Sequence, residues 1–166
     1  MLKNIVKIFL IIVSFYLLIP VCKEIKRNYL IDNVINRNKM DSSYEGYLLI
    51  PKLKYKNLIK KGSNEVLDKN LISMNEFSES IDSNKNIILA GHNNKQVFHN
   101  LYYLKKNDEI ILSNFKNDYK YIIKEKKYID VTDYSIFKQK DNTLTLITCS
   151  NDNQKRLILI AEKEGF

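Results

Sequence analysis

Short apolar and β-branched runs separated by polar turns recur from residue 44 to residue 161 and limit what this chain can fold into. Turn signals rich in Gly, Asn and Asp separate the runs, and little long helix is indicated between them. This pattern predicts a mainly β fold, either a barrel or a sandwich. The strand candidates are Tyr47 to Ile50, Leu58 to Lys60, Ile87 to Ala90, Glu109 to Leu112, Tyr119 to Ile123, Lys127 to Val131, Thr143 to Thr148 and Arg156 to Ala161.

The last two candidates predict a hairpin with a thiol at its turn-side end. Cys149 follows the first strand, a polar turn at 150–153 comes next, and Arg156 opens the second strand. Antiparallel pairing across so short a turn places Cys149 opposite Arg156. A lone cysteine is most often a small buried hydrophobe. Its position at a strand end, beside a cation that favours the thiolate, indicates a nucleophile instead.

A thiolate nucleophile needs a proton partner, and the chain contains two histidines. His92 follows the buried-type strand ending at Ala90, after Gly91, and opens a polar loop. A loop histidine that merely bonds to backbone stays an alternative. His99 falls off a helical stripe formed by Val97, Leu101 and Leu104, which predicts an inert residue on the surface of a helix. We therefore select His92 as the proton partner of Cys149.

The N-terminal segment predicts a membrane anchor. Lys3 and Lys7 precede an apolar run from Ile8 to Cys22, and basic residues follow it. The run is short for a span, but flanking apolar residues extend it, and the small residues of a cleavage site are missing. We predict an uncleaved anchor at 1–27, a helical stalk at 28–43 and one domain at 44–166. Cys22 lies in the apolar segment, so an extracellular disulfide framework is excluded.

The formal net charge of +8 raises the question of nucleic-acid binding. Its lysines are scattered among asparagines, and no arginine-rich patch or recognition motif is present, so we expect no nucleic-acid partner. A basic exterior facing an anionic surface, such as lipid headgroups, explains the charge. The cysteine and histidine spacing fits no structural zinc site, and we expect no metal and no cofactor.

Three motifs together resemble the sortases, the cysteine transpeptidases of Gram-positive cell surfaces. They are Leu89-Ala90-Gly91-His92-Asn93, Thr145-Leu146-Ile147-Thr148-Cys149 and the downstream Arg156, in this order after an apolar anchor. Gly46 to Leu53 is similar to the opening strand of the family, and Leu104 to Ile110 to its lead-in after the histidine loop. The resemblance covers about Tyr44 to Ala161.

The resemblance implies a closed sortase-like β-barrel of about eight strands with short helices, behind an N-terminal transmembrane helix. It implies that Cys149 attacks the carbonyl of an LPxTG-like sorting signal, that His92 acts as general acid and base, and that Arg156 positions substrate and stabilises the oxyanion. Arginine suits that role because it stays charged and presents fixed donors. Ala90 and Thr148, beside the reactive residues, are assigned to substrate binding.

The same resemblance implies a setting and partners. The chain would be a single-pass membrane protein with its catalytic domain outside the cell. Its partners would be surface proteins with a C-terminal sorting signal and a peptidoglycan-precursor or pilin amine as acceptor. Some sortases bind calcium between loops, but no EF-hand pattern supports calcium here. The short connection from Cys149 to Arg156 and the missing lid motif favour a class B or class D type.

Two other functions stay open at this stage. A cysteine endopeptidase that hydrolyses surface peptides would share Cys149 and His92, and capture of the acyl group by an added amine distinguishes it. A non-catalytic, membrane-tethered module that binds wall polymers would carry Cys149 as a buried residue with an unreactive thiol.

Overall fold

The computed structural model describes residues 2–37, 43–62, 64–138 and 140–165, and the chain divides into two compact units, 1–37 and 38–166. The first unit is one helix, α1 (Leu2–Arg37). Its apolar part is long enough to cross a membrane by length and composition, which makes it a candidate span. The predicted stalk is helical as far as Arg37, and its residues 38–42 lie outside the described residues. The same is true of Ser63, which belongs to the turn signal after the strand candidate Leu58 to Lys60.

The second unit contains a closed β-barrel, so the mainly β class and the barrel are confirmed. In the described residues the barrel order is β1-β2-β3-β4-β7-β8-β6-β5. The pairs β2/β3 and β4/β7 are parallel, and the other neighbours are antiparallel. The strands are β1 (Gly46–Ile50), β2 (Tyr55–Lys61), β3 (Ile72–Met74), β4 (Ile87–Ala90), β5 (Glu109–Ser113), β6 (Asp118–Asp130), β7 (Thr143–Cys149) and β8 (Lys155–Lys163).

Short helices connect the strands. A one-turn helix, α2 (Asn64–Asp68), lies between β2 and β3. Within the described part of the chain, 3-10 helices occupy Pro51–Leu53, His99–Tyr103 and Ser135–Lys138. The last of them lies in the β6–β7 connection, and Asn86 Nδ2 donates to the Ile136 carbonyl at 3.2 Å, which ties this connection to the start of β4.

The number of strands differs from the sequence prediction in two ways, apart from small shifts at strand ends. The runs 119–123 and 127–131 form one long strand, β6, whose pairing with β8 shifts register between Ile123 and Glu125. Such a shift reverses the alternation of side chains, so the sequence pattern of one strand looks like that of two separate strands. The three-residue β3 was not predicted, because Ile72-Ser73-Met74 is too short to show a period.

The barrel interior is a packed apolar core, as expected for a barrel of this strand number. Leu144 and Leu146 of β7 point into it. Ile147 lies on the outer face of β7 and packs on a second cluster that includes Ile136 of the last 3-10 helix. This helix therefore covers part of the outer face of β7 and shields Ile147 there from solvent.

The segment after the histidine loop confirms one prediction and corrects another. Val97, Leu101 and Leu104 are buried, as their spacing predicts. His99 was expected on the helix surface, and this is wrong, since the residue is half-buried. Its ring packs edge-on against Tyr102 with centroids 5.8 Å apart. The error arises because the segment forms a 3-10 helix of 3.0 residues per turn, on which the 3.6-residue stripe misplaces side chains.

Candidate active site

The β7–β8 hairpin places a guanidinium on the Cys149 thiol, as the sequence predicts. Strand register pairs Cys149 directly with Arg156, and Arg156 Nη1 donates to Cys149 Sγ at 3.3 Å. Both residues are half-buried, so the pair is shielded from solvent on one side yet open to a substrate. The guanidinium is therefore held in direct contact with the sulfur atom.

The turn that joins the two strands is braced by its own polar side chains. The Asp152 carboxylate accepts hydrogen bonds from the Ser150 hydroxyl and from the Gln154 amide. The Ser150 hydroxyl oxygen in turn accepts the Lys155 amide at 2.9 Å. The Ser150 hydroxyl bond, followed by the Gln154 amide bond, lowers the pKa of Asp152. The turn is therefore held in one conformation immediately beside Cys149.

His92 lies in a loop that folds back on the end of β4. The His92 carbonyl accepts the amides of Asn94 at 2.9 Å and Phe98 at 3.0 Å. Gly91 permits this fold, because a Cβ there would meet Phe98 Cδ2 at 2.5 Å and Val97 Cγ1 at 2.7 Å. The amide of Gly91 donates to the Ile147 carbonyl at 3.0 Å, which joins the loop to β7.

Parallel pairing of β4 and β7 brings the histidine and the thiol to one end of the barrel. Ala90 pairs with Ile147 in the register of these strands. His92 follows Ala90 by two residues, and Cys149 follows Ile147 by two residues. Because parallel strands advance together, both side chains emerge at the same edge of the sheet. The three residues selected from sequence are therefore brought to one end of the fold.

Near His92 lies a carboxylate that sequence reasoning did not select. Asp68 Oδ1, at the end of α2, lies 3.9 Å from His92 Nε2. The Asp68 side chain is 78% exposed and that of His92 47% exposed, so the attraction is weak and open to solvent. No sequence pattern predicts this contact, because α2 and the histidine loop are separated in sequence by β3 and β4 and come together only in the folded barrel.

A cavity of about 320 Å³ lies on the outer face of β4 and β7, beside the reactive end. Ala90, Ile88 and Ile147 form part of its wall, and Phe77 stands at one side. Phe77 also lines a neighbouring cavity of about 510 Å³, together with Phe137 of the β6–β7 connection. The two cavities share Ile88 as well, so they lie next to each other, and together we call them the β4 track.

The two residues assigned to substrate binding take different positions. Ala90 lines the cavity. Thr148 is only 3% exposed, and its hydroxyl has no hydrogen-bond partner among the described residues. Alternation along β7 explains the difference, because Ile147 and Cys149 face outward and Thr148 faces inward. Ile147, which sequence reasoning did not select, contributes to the cavity wall instead.

The described residues contain no group of three or more His, Cys, Asp and Glu side chains placed to hold a metal ion. The expectation that the chain needs no metal and no cofactor stays a prediction.

Comparison with known proteins places these features in a family. The Sortase domain model matches residues 48–164. The chain is 32% identical over 127 residues to "Sortase A" of Listeria monocytogenes, an alignment that covers 72% of this chain and 56% of the relative. The chain thus spans little more than half the length of this curated relative.

Solved structures share the fold. The crystal structure of Listeria monocytogenes sortase A aligns with a TM-score of 0.67 at 27% identity, covering 75% of this chain and 89% of that one. Sortase C1 of Streptococcus agalactiae aligns with a TM-score of 0.69 at 26% identity, covering 76% and 71%.

Proposed function

This chain belongs to the sortase family, and from that premise we propose that it is a membrane-anchored cysteine transpeptidase acting on surface proteins. The substrate would carry a C-terminal, LPxTG-like sorting signal, and the acceptor would be a peptidoglycan-precursor or pilin amine. The observation that carries the proposal is the Arg156 guanidinium 3.3 Å from Cys149 Sγ, at the end of the barrel where His92 emerges.

The first half of the reaction forms a thioacyl enzyme. The Cys149 thiolate attacks the scissile carbonyl carbon, and the carbonyl oxygen becomes an oxyanion. The guanidinium of Arg156 carries several fixed donors, so one can remain near sulfur while another meets the oxyanion. When the C–N bond breaks, the His92 imidazolium gives its proton to the leaving amine.

The second half returns the enzyme to its starting state. The acceptor amine loses a proton to neutral His92 and attacks the thioester carbon. Collapse of this second tetrahedral intermediate expels the Cys149 thiolate and leaves a new amide bond. Water in place of the amine would give hydrolysis. The half-open position of Cys149 leaves room for an acceptor to approach the acyl carbon.

The β4 track, which has apolar groups along part of its wall, suits an extended peptide. Its walls include Ala90, Ile147 and the exposed ring of Phe77. The acyl part of the substrate must stay bound while the leaving peptide departs, so we assign the track to residues on the acyl side of the scissile bond. Apolar side chains of the signal would gain affinity by burial against these walls.

The helix α1 supports a membrane setting for this chemistry. Its composition makes it a candidate span. We propose that it holds the chain in the cell membrane by a single pass, with the catalytic domain outside, where surface proteins and wall precursors meet. The class B or class D type stays a prediction.

The test uses the full chain in detergent micelles with quenched peptides that carry variants of the sorting signal. Product is followed by mass spectrometry with and without an added primary amine. We expect an acyl adduct on Cys149 and, with amine, an amide product that displaces the acid product. Cys149→Ala should abolish both, and it should leave the melting temperature nearly unchanged because a strand-end thiol fills little core volume.

Three outcomes would overturn the proposal. Acid as the product at every amine concentration would identify a cysteine endopeptidase. A folded chain with no acyl adduct and an unreactive Cys149 thiol would identify a binding module. Cleavage by Cys149→Ala would remove this residue from the mechanism altogether.

A further inference from the structure

Side-chain hydrogen bonds link the loop of His92 to the turn beside Cys149. Asn93 Nδ2 donates to Asn151 Oδ1 at 3.1 Å, and Asn93 Oδ1 lies 3.0 Å from His99 Nδ1. Asn93 is the residue after His92, and Asn151 follows Cys149 by two residues. A single amide thus joins the histidine side of the site to the nucleophile side.

The directions of these bonds follow from the donors available. An amide nitrogen that donates to Asn151 leaves the Asn93 oxygen as an acceptor. His99 must then carry its proton on Nδ1. Protonation of His99 adds a proton on Nε2 and keeps the one on Nδ1, so the chain of bonds survives a change in the charge of His99.

His99 is a firm anchor for this chain of bonds. It is half-buried against Tyr102, and its backbone amide donates to the Asn94 carbonyl at 3.1 Å. The helix that carries it is fixed in the barrel by Leu101, which is 1% exposed. The bonds therefore run from the barrel core, through His99 and Asn93, to the turn beside Cys149.

The neighbouring Asn94 also holds the loop, but within the described residues none of its side-chain bonds reaches the hairpin of the nucleophile. Its Oδ1 accepts the amides of Gln96 and Val97 and shapes the loop itself. Its Nδ2 donates to Asn70 Oδ1 at 2.8 Å, which ties the loop to the segment before β3. Asn93 uses both ends of its amide on partners outside its own turn, and one of them belongs to the hairpin of the nucleophile.

We propose that Asn93 is a positioning residue that sets the distance between His92 and Cys149, with His99 as its anchor and Asn151 as its partner. This inference rests on the proposed function. Proton transfer requires His92 within hydrogen-bond reach of the reacting atoms, and a misplacement of about 1 Å costs up to about a hundredfold in rate. The loop of His92 lacks strand pairing, so this link supplies a constraint that the sheet does not.

The experiment compares variants of the full chain in detergent micelles, using the quenched donor peptide and a primary amine. Asn93→Leu removes both bonds at similar volume. His99→Phe keeps a ring against Tyr102 and removes the donor, whereas His99→Asn keeps an amide donor at the position of Nδ1. Asn100→Leu, on the exposed side of the same short helix, is the matched control.

We expect Asn93→Leu to lower kcat about tenfold with KM and melting temperature nearly unchanged. His99→Phe should lower kcat about threefold to tenfold, and His99→Asn should recover most of this loss. Asn151→Leu, which breaks the same link from the hairpin side, should lower kcat as Asn93→Leu does. If Asn93→Leu folds poorly, the kcat of Asn151→Leu tests the positioning role instead. Asn100→Leu should stay within about twofold of the parent chain.

A double-mutant comparison separates positioning from general stability. In a His92→Ala chain, followed in single turnover at excess enzyme, Asn93→Leu should cost no more than about twofold, because the group it positions is gone. A tenfold loss in both backgrounds, or a kcat of Asn93→Leu within twofold of the parent, overturns the inference. If Cys149→Ala and His92→Ala lose turnover while Asn93→Leu keeps it, the proposed function holds and the positioning role of Asn93 is wrong. If the parent chain forms no acyl enzyme, both fall.

Discussion

The two sides of the candidate site are held in different ways. Cys149 and Arg156 belong to strands that pair along their whole length, so the ladder of β7 and β8 fixes their relative position. His92 belongs to a loop that is held by a few backbone bonds, a glycine contact and asparagine side chains. Substitutions of Cys149 or Arg156 should therefore remove a reactive group and leave the geometry of the site unchanged. Substitutions around the loop should leave the His92 imidazole present but in the wrong position.

The largest effect that tests this comparison comes from removing the histidine itself. His92→Ala deletes the group proposed to protonate the leaving amine and to deprotonate the acceptor, so kcat should fall about 10²- to 10⁴-fold. The melting temperature should barely change, because the side chain is 47% exposed. Peptide cleavage with amine capture measures the first effect and thermal unfolding the second. A loss below tenfold would assign the proton transfers to another residue.

Arg156→Lys asks whether the hairpin supplies charge or directed bonds. Lysine keeps the positive charge but lacks the planar fork that lets one group contact both Cys149 and an oxyanion. Loss of such a donor costs about a hundredfold or more in rate, and we expect kcat to fall by that amount. The assay uses saturating peptide and amine. A lysine variant within a few-fold of the parent would reduce Arg156 to an electrostatic role.

Gly91→Ala tests the loop side without touching a reactive group. The new methyl group would lie 2.5 Å from a Phe98 ring atom and 2.7 Å from a Val97 methyl, and Phe98 is fully buried. Overpacking of this kind costs about 1–3 kcal/mol of unfolding free energy. We also expect kcat to fall about tenfold, because the loop must move to relieve the clash. Denaturant unfolding and the cleavage assay measure the two losses.

Phe98→Leu provides the matched partner for that change. The smaller side chain should destabilise the parent chain but should remove part of the clash in the Gly91→Ala chain, so the two changes should not add. Simple additivity of the unfolding free energies would show that the loop is not held by this contact.

The sequence predicted the hairpin side more fully than the loop side. Alternation in β7, a polar turn and the position of Arg156 are local features, and they were enough to place Cys149 opposite Arg156. The end of β4 at Ala90 and the opening of a loop at His92 were local as well. Burial of Val97, Leu101 and Leu104 followed from spacing alone.

What sequence did not predict depends on contacts between distant segments. Asp68 reaches His92, and Asn93 reaches Asn151, only after the barrel has brought their loops together. The three-residue β3 exists because β2 and β4 pair with it on either side. Asparagine is so frequent in this chain that no single asparagine stands out, and the half-buried His99 was misplaced by a helical period that the 3-10 turn does not follow.

The smallest expected effect concerns pH at the turn of the hairpin. The Ser150 hydroxyl bond and the Gln154 amide bond lower the pKa of Asp152 from its ordinary value of 3.8. A depressed carboxyl pKa adds stability that is present above the ordinary value and is lost as pH falls through the lowered one. The turn should therefore keep its conformation from neutrality down to about pH 4.

Nuclear magnetic resonance of the Gln154 amide proton would follow this titration in the full chain. We expect its chemical shift to stay constant above pH 5 and to change with a midpoint below 3.8. Asp152→Asn keeps an acceptor oxygen and should abolish the titration while leaving kcat within about twofold, because the strand ladder and not the turn fixes Cys149. A midpoint above 3.8 would show that these two bonds do not stabilise the carboxylate. A tenfold loss of kcat in Asp152→Asn would show that the hairpin depends on its turn as the histidine loop depends on its side-chain bonds.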